Sequence, residues 1–574
     1  MKKGLLSLAC IASLGLNAQT ILDDIIISPN KTTSFNDIVT IENASRHNAM
    51  AYDAQKSLFV AGVFDTDFEG LEAIAASSYI IKKNSEFQVE WKVAIKGAAT
   101  VTSLISDGQG GVYAAGTIAD IVEFIGADGQ SIEKEGYKES DAYTNSQCAS
   151  FIAHYDATGK VINVATIIPT VDPALEETFM YYPEDGDVYC KINSLALVNG
   201  KLYASAIFSN KISTSDNSSS VTAGYINYFG GYFLYMSNQS AVVIELNDNL
   251  EASAFPFILK AADEVYDEQK VNSIVMTSDN SDLYLGVVAT GTQYSNSFGN
   301  NSEFTFSNDG LGTVGYGHIV FAVNTESKTT KSAHYESATD DMFQINFIKG
   351  IKATDESIIL AGTFNNALAF DLDKTPVGAD DMYVVSLSKN DLNINWTAVT
   401  NFDEGEATKN EEIFTAMTVS GDYVYLSGYA SDKATHTLAT PLSYVLDAKT
   451  GDMKAVDNSD YIFGLASAEN GNKLAKAHTT APMTGISFSD FGITSGISDN
   501  FADNSAKVSI YPNPVTETLY FTAQCDLEIF TIDGISVLKA SDVSSVDVNT
   551  LVNGIYFVKT TIEGKSNVVK VIKK

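Results

Sequence analysis

The sequence predicts an all-β chain assembled from repeated four-stranded units, and three observations carry that expectation. A short pattern recurs six times: an apolar strand, then Gly or another small residue. The copies are Leu58–Phe64, Val112–Ile118, Leu202–Phe208, Leu283–Val288, Ile358–Phe364 and Val424–Tyr429. Each copy follows a second strand, such as Val101–Ile105, Ile192–Leu197, Val271–Val275 or Phe414–Val419, and precedes a hairpin. The composition agrees, because 40 Gly, 28 Tyr and 30 Phe against 10 Pro suit strands and turns better than helices.

The hairpins complete each unit. Phe151–Asp156 turns at Thr158-Gly159 into Val161–Ile167, and its counterparts are 241–255, 319–334, 382–399 and 444–456. Four strands joined by tight turns form one blade of a β-propeller. The small residue of the second strand is read as room for neighbouring blades to approach one another. Six units fill residues 47 to about 456, and Tyr461–Ser467 with Lys473–Thr479 supply half of another. Its missing strands are assigned to residues 21–41, which joins the two ends of the chain and removes exposed strand edges. The predicted fold is therefore a seven-bladed β-propeller over residues 19–487, six or eight blades being the alternatives. A Ser, Gly, Asp and Asn-rich linker follows over 488–506, and a small Ig-like β-sandwich over 507–574.

Both chain ends read as export signals. Lys2 and Lys3 precede an apolar run from Leu5 to Leu16 with the small residue Ala18 behind it, so residues 1–18 have the layout of a signal peptide. The last 68 residues open with Tyr511-Pro512-Asn513-Pro514, carry Asp533-Gly534 after an apolar strand, and close with Leu551-Val552-Asn553-Gly554-Ile555-Tyr556-Phe557-Val558 and a basic strand. This order resembles the type A C-terminal sorting domain of the type IX secretion system. The resemblance implies export by that machinery, removal of the domain afterwards, and a secreted, extracellular or outer-membrane-surface location. No later segment has the apolar length of a transmembrane helix. The repeats, closest over Leu360–Phe364 and Asp381–Trp396, also resemble those of bacterial β-propeller repeat proteins, a group without a common activity.

Charge narrows the partners. The formal net charge is −35, and residues 20–506 alone hold 27 basic and 64 acidic side chains, a balance of −37. Such a surface repels phosphate backbones, which argues against nucleic acid as a partner. Asp65, Asp67 and Glu69 alternate before Gly70 as in an EF-hand loop, but Ala76 stands where the bidentate Glu belongs. The loop reads first as a solvated turn, with weak Ca²⁺ binding as the alternative, and no other cofactor is expected. Cys148 and Cys190 are read either as a disulfide or as two buried thiols.

Catalytic patterns are missing from the linear sequence. The six His stand singly, without a metal-binding or nucleophile motif around them. Two turns, Asp156–Lys160 and Asp447–Gly451, are similar to the D-x-x-T-G segment of quinoprotein-type repeats. Neither is followed by the Trp that would dock on it, so they are read as ordinary hairpin turns. The insertion Gly224–Met236 places Tyr225, Tyr228, Tyr232 and Tyr235 around a Gly-Gly turn, either packing on its blade or forming an aromatic surface for a ligand. The sequence thus leans away from an enzyme and toward non-catalytic binding of a protein or glycan. A hydrolase or lyase sited at the channel mouth, and a structural surface-layer component, are the other readings.

Overall fold

The computed structural model describes residues 33–34, 49–64, 77–85, 88–136, 148–171, 188–229, 233–237, 239–261, 270–279, 281–306, 316–336, 346–365, 367–376, 379–400, 410–432, 438–457, 461–468, 474–479, 487–490, 510–511, 514–531, 536–562 and 565–574. The chain divides into two compact units, 1–496 and 497–574. Among the described residues the elements are β-strands.

The first unit is a series of antiparallel sheets that follow one another along the chain. The first contains Ala49–Tyr52, Leu58–Phe64, Ser77–Lys83 and Val89–Lys96; the second Ala99–Ser106, Val112–Ile118, Ala149–Tyr155 and Val161–Ile167. The third contains Cys190–Val198, Lys201–Phe208, Ser240–Leu246 and Ala252–Ala261; the fourth Val271–Asp279, Asp282–Thr290, Tyr316–Asn324 and Thr329–Glu336. The fifth contains Asn346–Ala353, Ser357–Phe364, Asp381–Ser388 and Ile394–Val399; the sixth Asn410–Ser420, Tyr423–Asp432, Leu438–Asp447 and Met453–Asp457. The last is Tyr461–Ser467, Leu474–Thr479, Ser487–Asp490 and Thr33–Ser34.

The leading strand of each sheet packs against the leading strand of the next, and Tyr461–Ser467 packs back on Ala49–Tyr52, so the circuit closes. Apolar residues fill the spaces between successive sheets. Phe59, Trp91 and Val93 meet Phe151 and Tyr155, for example, and Ile359 and Val384 meet Leu426 and Tyr444. This is the radial, propeller-like arrangement that the repeats predict. The join differs in one respect. The N-terminal segment contributes one described strand, Thr33–Ser34, paired to Ser487–Asp490, which lies where the composition already turns toward the linker.

The structure also corrects the role of the small residue. The leading strands of the second, third, fourth, fifth, sixth and last sheets each carry a bulge, at Val101/Ser103, Ile192/Ser194, Val271/Ser273, Ile348/Gly350, Phe414/Ala416 and Ile462/Gly464. A bulge bends its strand and drives a carbonyl toward the partner strand. A Cβ on Gly116 would sit 1.8 Å from the Thr100 carbonyl oxygen, and one on Gly362 would sit 1.6 Å from that of Phe347. Gly therefore answers to the neighbouring strand of its own sheet. Gly286, packed near Leu360 and Ile348 of the following sheet, and Gly428, where a Cβ would lie 2.5 Å from the Met382 sulfur of the preceding sheet, also fit the expected inter-blade role.

Two hairpins reach backward. Ile121–Ile125 with Ser131–Glu135 leaves the second sheet and pairs onto the outer strand Val89–Lys96 of the first. Thr292–Ser297 with Asn300–Thr305 leaves the fourth and pairs onto Ala252–Ala261 of the third. Each covers an otherwise open edge.

The second unit is built on Thr518–Thr531, a long strand whose register breaks at Tyr520/Cys525 and Cys525/Leu527. It pairs with Ser536–Asp547 along its length, with Ile510–Tyr511 at one end and with Gly554–Ile562 at the other; Lys565–Lys573 adds the edge. Val515, Leu519, Leu527, Ile529, Val558 and Val571 form its core.

Candidate ligand-binding channel

The leading strands enclose a central cavity of about 670 Å³. That volume falls in the range of small-molecule sites. The wall alternates apolar residues, including Leu104, Leu195, Ile351 and Met417, with hydroxyls and amides, including Thr102, Asn193, Thr277 and Thr415.

Several polar groups tie one sheet to the next. Thr102 Oγ1 donates to the Ile192 carbonyl at 2.6 Å, Asn193 Nδ2 to Ile274 at 3.0 Å and Ser273 Oγ to Ile348 at 3.4 Å, while Thr415 Oγ1 donates to Ile462. In the other direction the Leu195 amide donates to Ser103 Oγ at 3.0 Å and the Met276 amide to Ser194 Oγ at 3.3 Å. These bonds satisfy backbone groups that the bulges release from the ladder. The signal was present in the sequence as Val101-Thr102-Ser103-Leu104 and Ile192-Asn193-Ser194-Leu195, but strand patterning alone does not say which hydroxyl faces a neighbouring sheet.

Charge in the wall is sparse. Among the described residues, the charged ones in the wall are Lys349, Lys352 and Asp279. Asp279 is held in an ion pair by Lys389, whose amine also lies 5.4 Å from the Tyr284 ring. The Lys352 side chain is exposed to the channel, and the protein walls around that space lower its pKa.

The two Trp of the chain occupy equivalent sites away from the channel. Trp91 Nε1 donates to the Ala157 carbonyl at 3.1 Å, and Trp396 Nε1 to Ala448 at 3.1 Å. Each indole covers the Gly of a D-x-x-T-G-like turn: a Cβ on Gly159 would lie 2.7 Å from Trp91, and one on Gly451 2.6 Å from Trp396. Both glycines have positive φ, +81° and +75°. A docking Trp is thus present for each turn, supplied from upstream by the outer strand of the preceding sheet. This corrects the expectation that these were turns without a docking partner.

The sequence-predicted site residues are dispersed. Asp65, Asp67 and Glu69 lie outside the described residues, as do Tyr232, Pro512 and Asn513. Tyr225, Tyr228 and Tyr235 belong to a separate antiparallel hairpin, Tyr225–Phe229 with Phe233–Ser237. Cys148 and Cys190 are neighbours with free thiols. A parallel bridge pairs Cys148 with Tyr189 and directs its sulfur at the Cys190 carbonyl, 3.9 Å away. Burial raises both thiols, to about 11 for Cys148 and about 12 for Cys190.

His154, His318 and His334 are held by contacts within the sheets. His154 Nε2 bonds Asp107 Oδ2 at 2.9 Å and stacks on Tyr113, while the other oxygen of Asp107 accepts from the Gln109 and Gly111 amides. His318 packs on Phe370, and His334 meets Phe304 edge-on. Among the described residues no group of three or more His, Cys, Asp or Glu is placed to hold a metal.

In the second unit Tyr511 is half exposed and stacks on Tyr520, its cross-strand partner, at 5.8 Å. Pro514 is exposed beside buried Val515. Gly554 opens the strand in which Tyr556 is buried, and the Tyr556 hydroxyl donates to the Val552 carbonyl at 2.8 Å.

Comparison with known proteins agrees with this second unit. Residues 509–574 match the family described as "Secretion system C-terminal sorting domain". The chain therefore carries a type IX sorting tail and is a secreted or cell-surface protein. Among the described residues no helix is long and apolar enough to cross a membrane. A search of curated proteins found no match. Solved structures similar to the chain include the Cps50 (Swd1) β-propeller domain of Myceliophteria thermophila, at 9% identity and a TM-score of 0.36, covering 77% of this chain and 96% of that one. A mutant of the Synechocystis apocarotenoid oxygenase is similar at 11% identity and 0.29, covering 70% and 69%. The extracellular domain of a one component system from B. thetaiotaomicron is similar at 9% and 0.17, covering 95% and 100%.

Proposed function

We propose that this secreted or cell-surface protein is a seven-bladed propeller that binds a protein or glycan without transforming it. The blade count rests on the closed circuit of leading strands, in which each sheet has one predecessor and one successor. One observation carries the functional reading. A hydrolytic or lyase site at the channel would call for convergent carboxylates with a His or comparable proton carrier. The described wall offers a single carboxylate, Asp279, already engaged by Lys389, and no His. Ligand contact is assigned to the blade loops and insertions at 130–148, 176–190 and 209–240, with the hairpin that carries Tyr225, Tyr228 and Tyr235 as its aromatic part. Weak Ca²⁺ binding by the loop of Asp65, Asp67 and Glu69 is the alternative to a solvated turn there; a melt unchanged by EDTA and by millimolar Ca²⁺ would remove it.

A glycan array and a pull-down with the full chain test the main reading. Retention of a defined ligand that is recovered intact after long incubation is expected. Time-dependent cleavage of the retained ligand would contradict it.

A further inference from the structure

We infer that the central channel is itself a binding site, separate from the loops, for a small organic anion anchored by the amine of Lys352. Registered on their bulges, the leading strands read Leu104-Ile105, Leu195-Ala196 and Met417-Thr418 where the fifth sheet reads Ile351-Lys352. The second, third, fourth, sixth and last sheets form the same bulged strand with a neutral residue at this position, so the fold does not require the lysine. Its side chain enters the cavity and makes no hydrogen bond or ion pair among the described residues. The one carboxylate on the described wall is already bound by Lys389.

The amine is reached by channel water but has no counter-charge among the described residues, so an anion entering the channel would meet an unneutralised cation. The surroundings sharpen the point. With 64 acidic side chains in residues 20–506, the unit has carboxylates to spare, and none of the described ones accompanies Lys352. The enclosing walls of the channel lower the amine's pKa. The rest of the wall defines the ligand's body. Ile351 and Met417 offer apolar contact and Thr277 offers a hydroxyl, while a cavity of about 670 Å³ admits a molecule the size of a sugar acid or sugar phosphate.

The test is calorimetric titration of the full chain with D-glucuronate and with glucose 6-phosphate, using glucose as neutral control and chloride to hold ionic strength constant. Saturable binding of at least one of the two anions, with none of glucose, is expected. Which anion binds decides between a carboxylate and a phosphate head. Lys352→Met should weaken that binding at least tenfold and Lys352→Arg should retain it, while ligands captured on the glycan array stay bound to both variants. No saturable heat with either anion, or undiminished affinity in Lys352→Met, would overturn the inference. Should Lys352→Met fail to fold, the unmutated chain with ¹³C-methylated lysines gives the same answer. A dimethyl-lysine resonance that shifts with the anion and not with glucose is expected, and a spectrum unchanged by both anions overturns the inference.

Discussion

At the residue scale, a few side chains hold positions that only the folded chain explains. Trp91 and Trp396 lie in outer strands, where composition would place them as ordinary apolar residues. Each covers a turn glycine more than fifty residues downstream and bonds a carbonyl beside it. The turns themselves were legible from Asp and Gly, but the docking was not, because the partner comes from the preceding sheet. Asp447 in the second of these turns accepts bonds from the Lys449 and Thr450 amides at 2.9 and 3.1 Å. Partial burial pushes its carboxyl up, yet these amides and Lys454 together bring it below the usual value. A carboxylate with a lowered folded-state pKa contributes stability above its unfolded value, near 3.9, and that contribution disappears as pH falls through the folded value. Asp447→Asn is therefore expected to lower the melting temperature at pH 7 and to leave a smaller difference from the unsubstituted chain near pH 2. An equal difference at both pH values would contradict this. The thiols of Cys148 and Cys190 give a second expectation. Raised to about 11 and about 12 by burial, they stay protonated at pH 8 and should resist iodoacetamide in the native chain while reacting in urea. Alkylation of both at equal rates in the two conditions would count against their burial.

At the element scale, the recurring strands and hairpins could be located from sequence because a half-buried strand alternates and a tight turn needs Asp, Asn or Gly. Phe151–Asp156 and Val161–Ile167 were expected, and Ala149–Tyr155 and Val161–Ile167 are observed. The bulges could not be read, since an extra residue such as Thr102 or Asn193 leaves no local mark until two strands are registered. Neither could the hairpins at 121–135 and 292–305, whose pairing partners belong to the sheet before. The bulge also gives the repeat's glycine a sharper physical meaning than crowding at a central axis. Gly362→Ala places a methyl group against the Phe347 carbonyl, which is backbone and cannot rotate aside. Urea unfolding should show a loss of about 3 kcal/mol or more, whereas Gly286→Ala, facing flexible side chains at 3.1–3.2 Å, should cost less. The reverse order would remove the bulge from the explanation.

At the scale of the whole molecule, the two compact units divide the labour: one carries an address, the other presents a radial set of sheets. The address was the most legible part of the sequence, since Tyr511, Gly554 and Tyr556 lie in a short ordered motif; the channel was the least, since its lining gathers from leading strands spread over four hundred residues. Removing residues 507–574 is expected to stop display or release outside the cell in a host with type IX secretion, while the melt of the remaining unit persists; normal export without the tail would contradict the assignment. The claim on which the account depends is that the sheets close into a ring by joining the N-terminal strand to the last sheet. Ser34 and Ser487 are direct cross-strand partners in that join. In the variant Ser34→Cys with Ser487→Cys, oxidation should form an intramolecular disulfide within one chain, seen as a single cross-linked peptide by mass spectrometry and as a raised melting temperature. Failure to cross-link under conditions that oxidise the same cysteines in the unfolded chain would mean that the ring is not closed in this way.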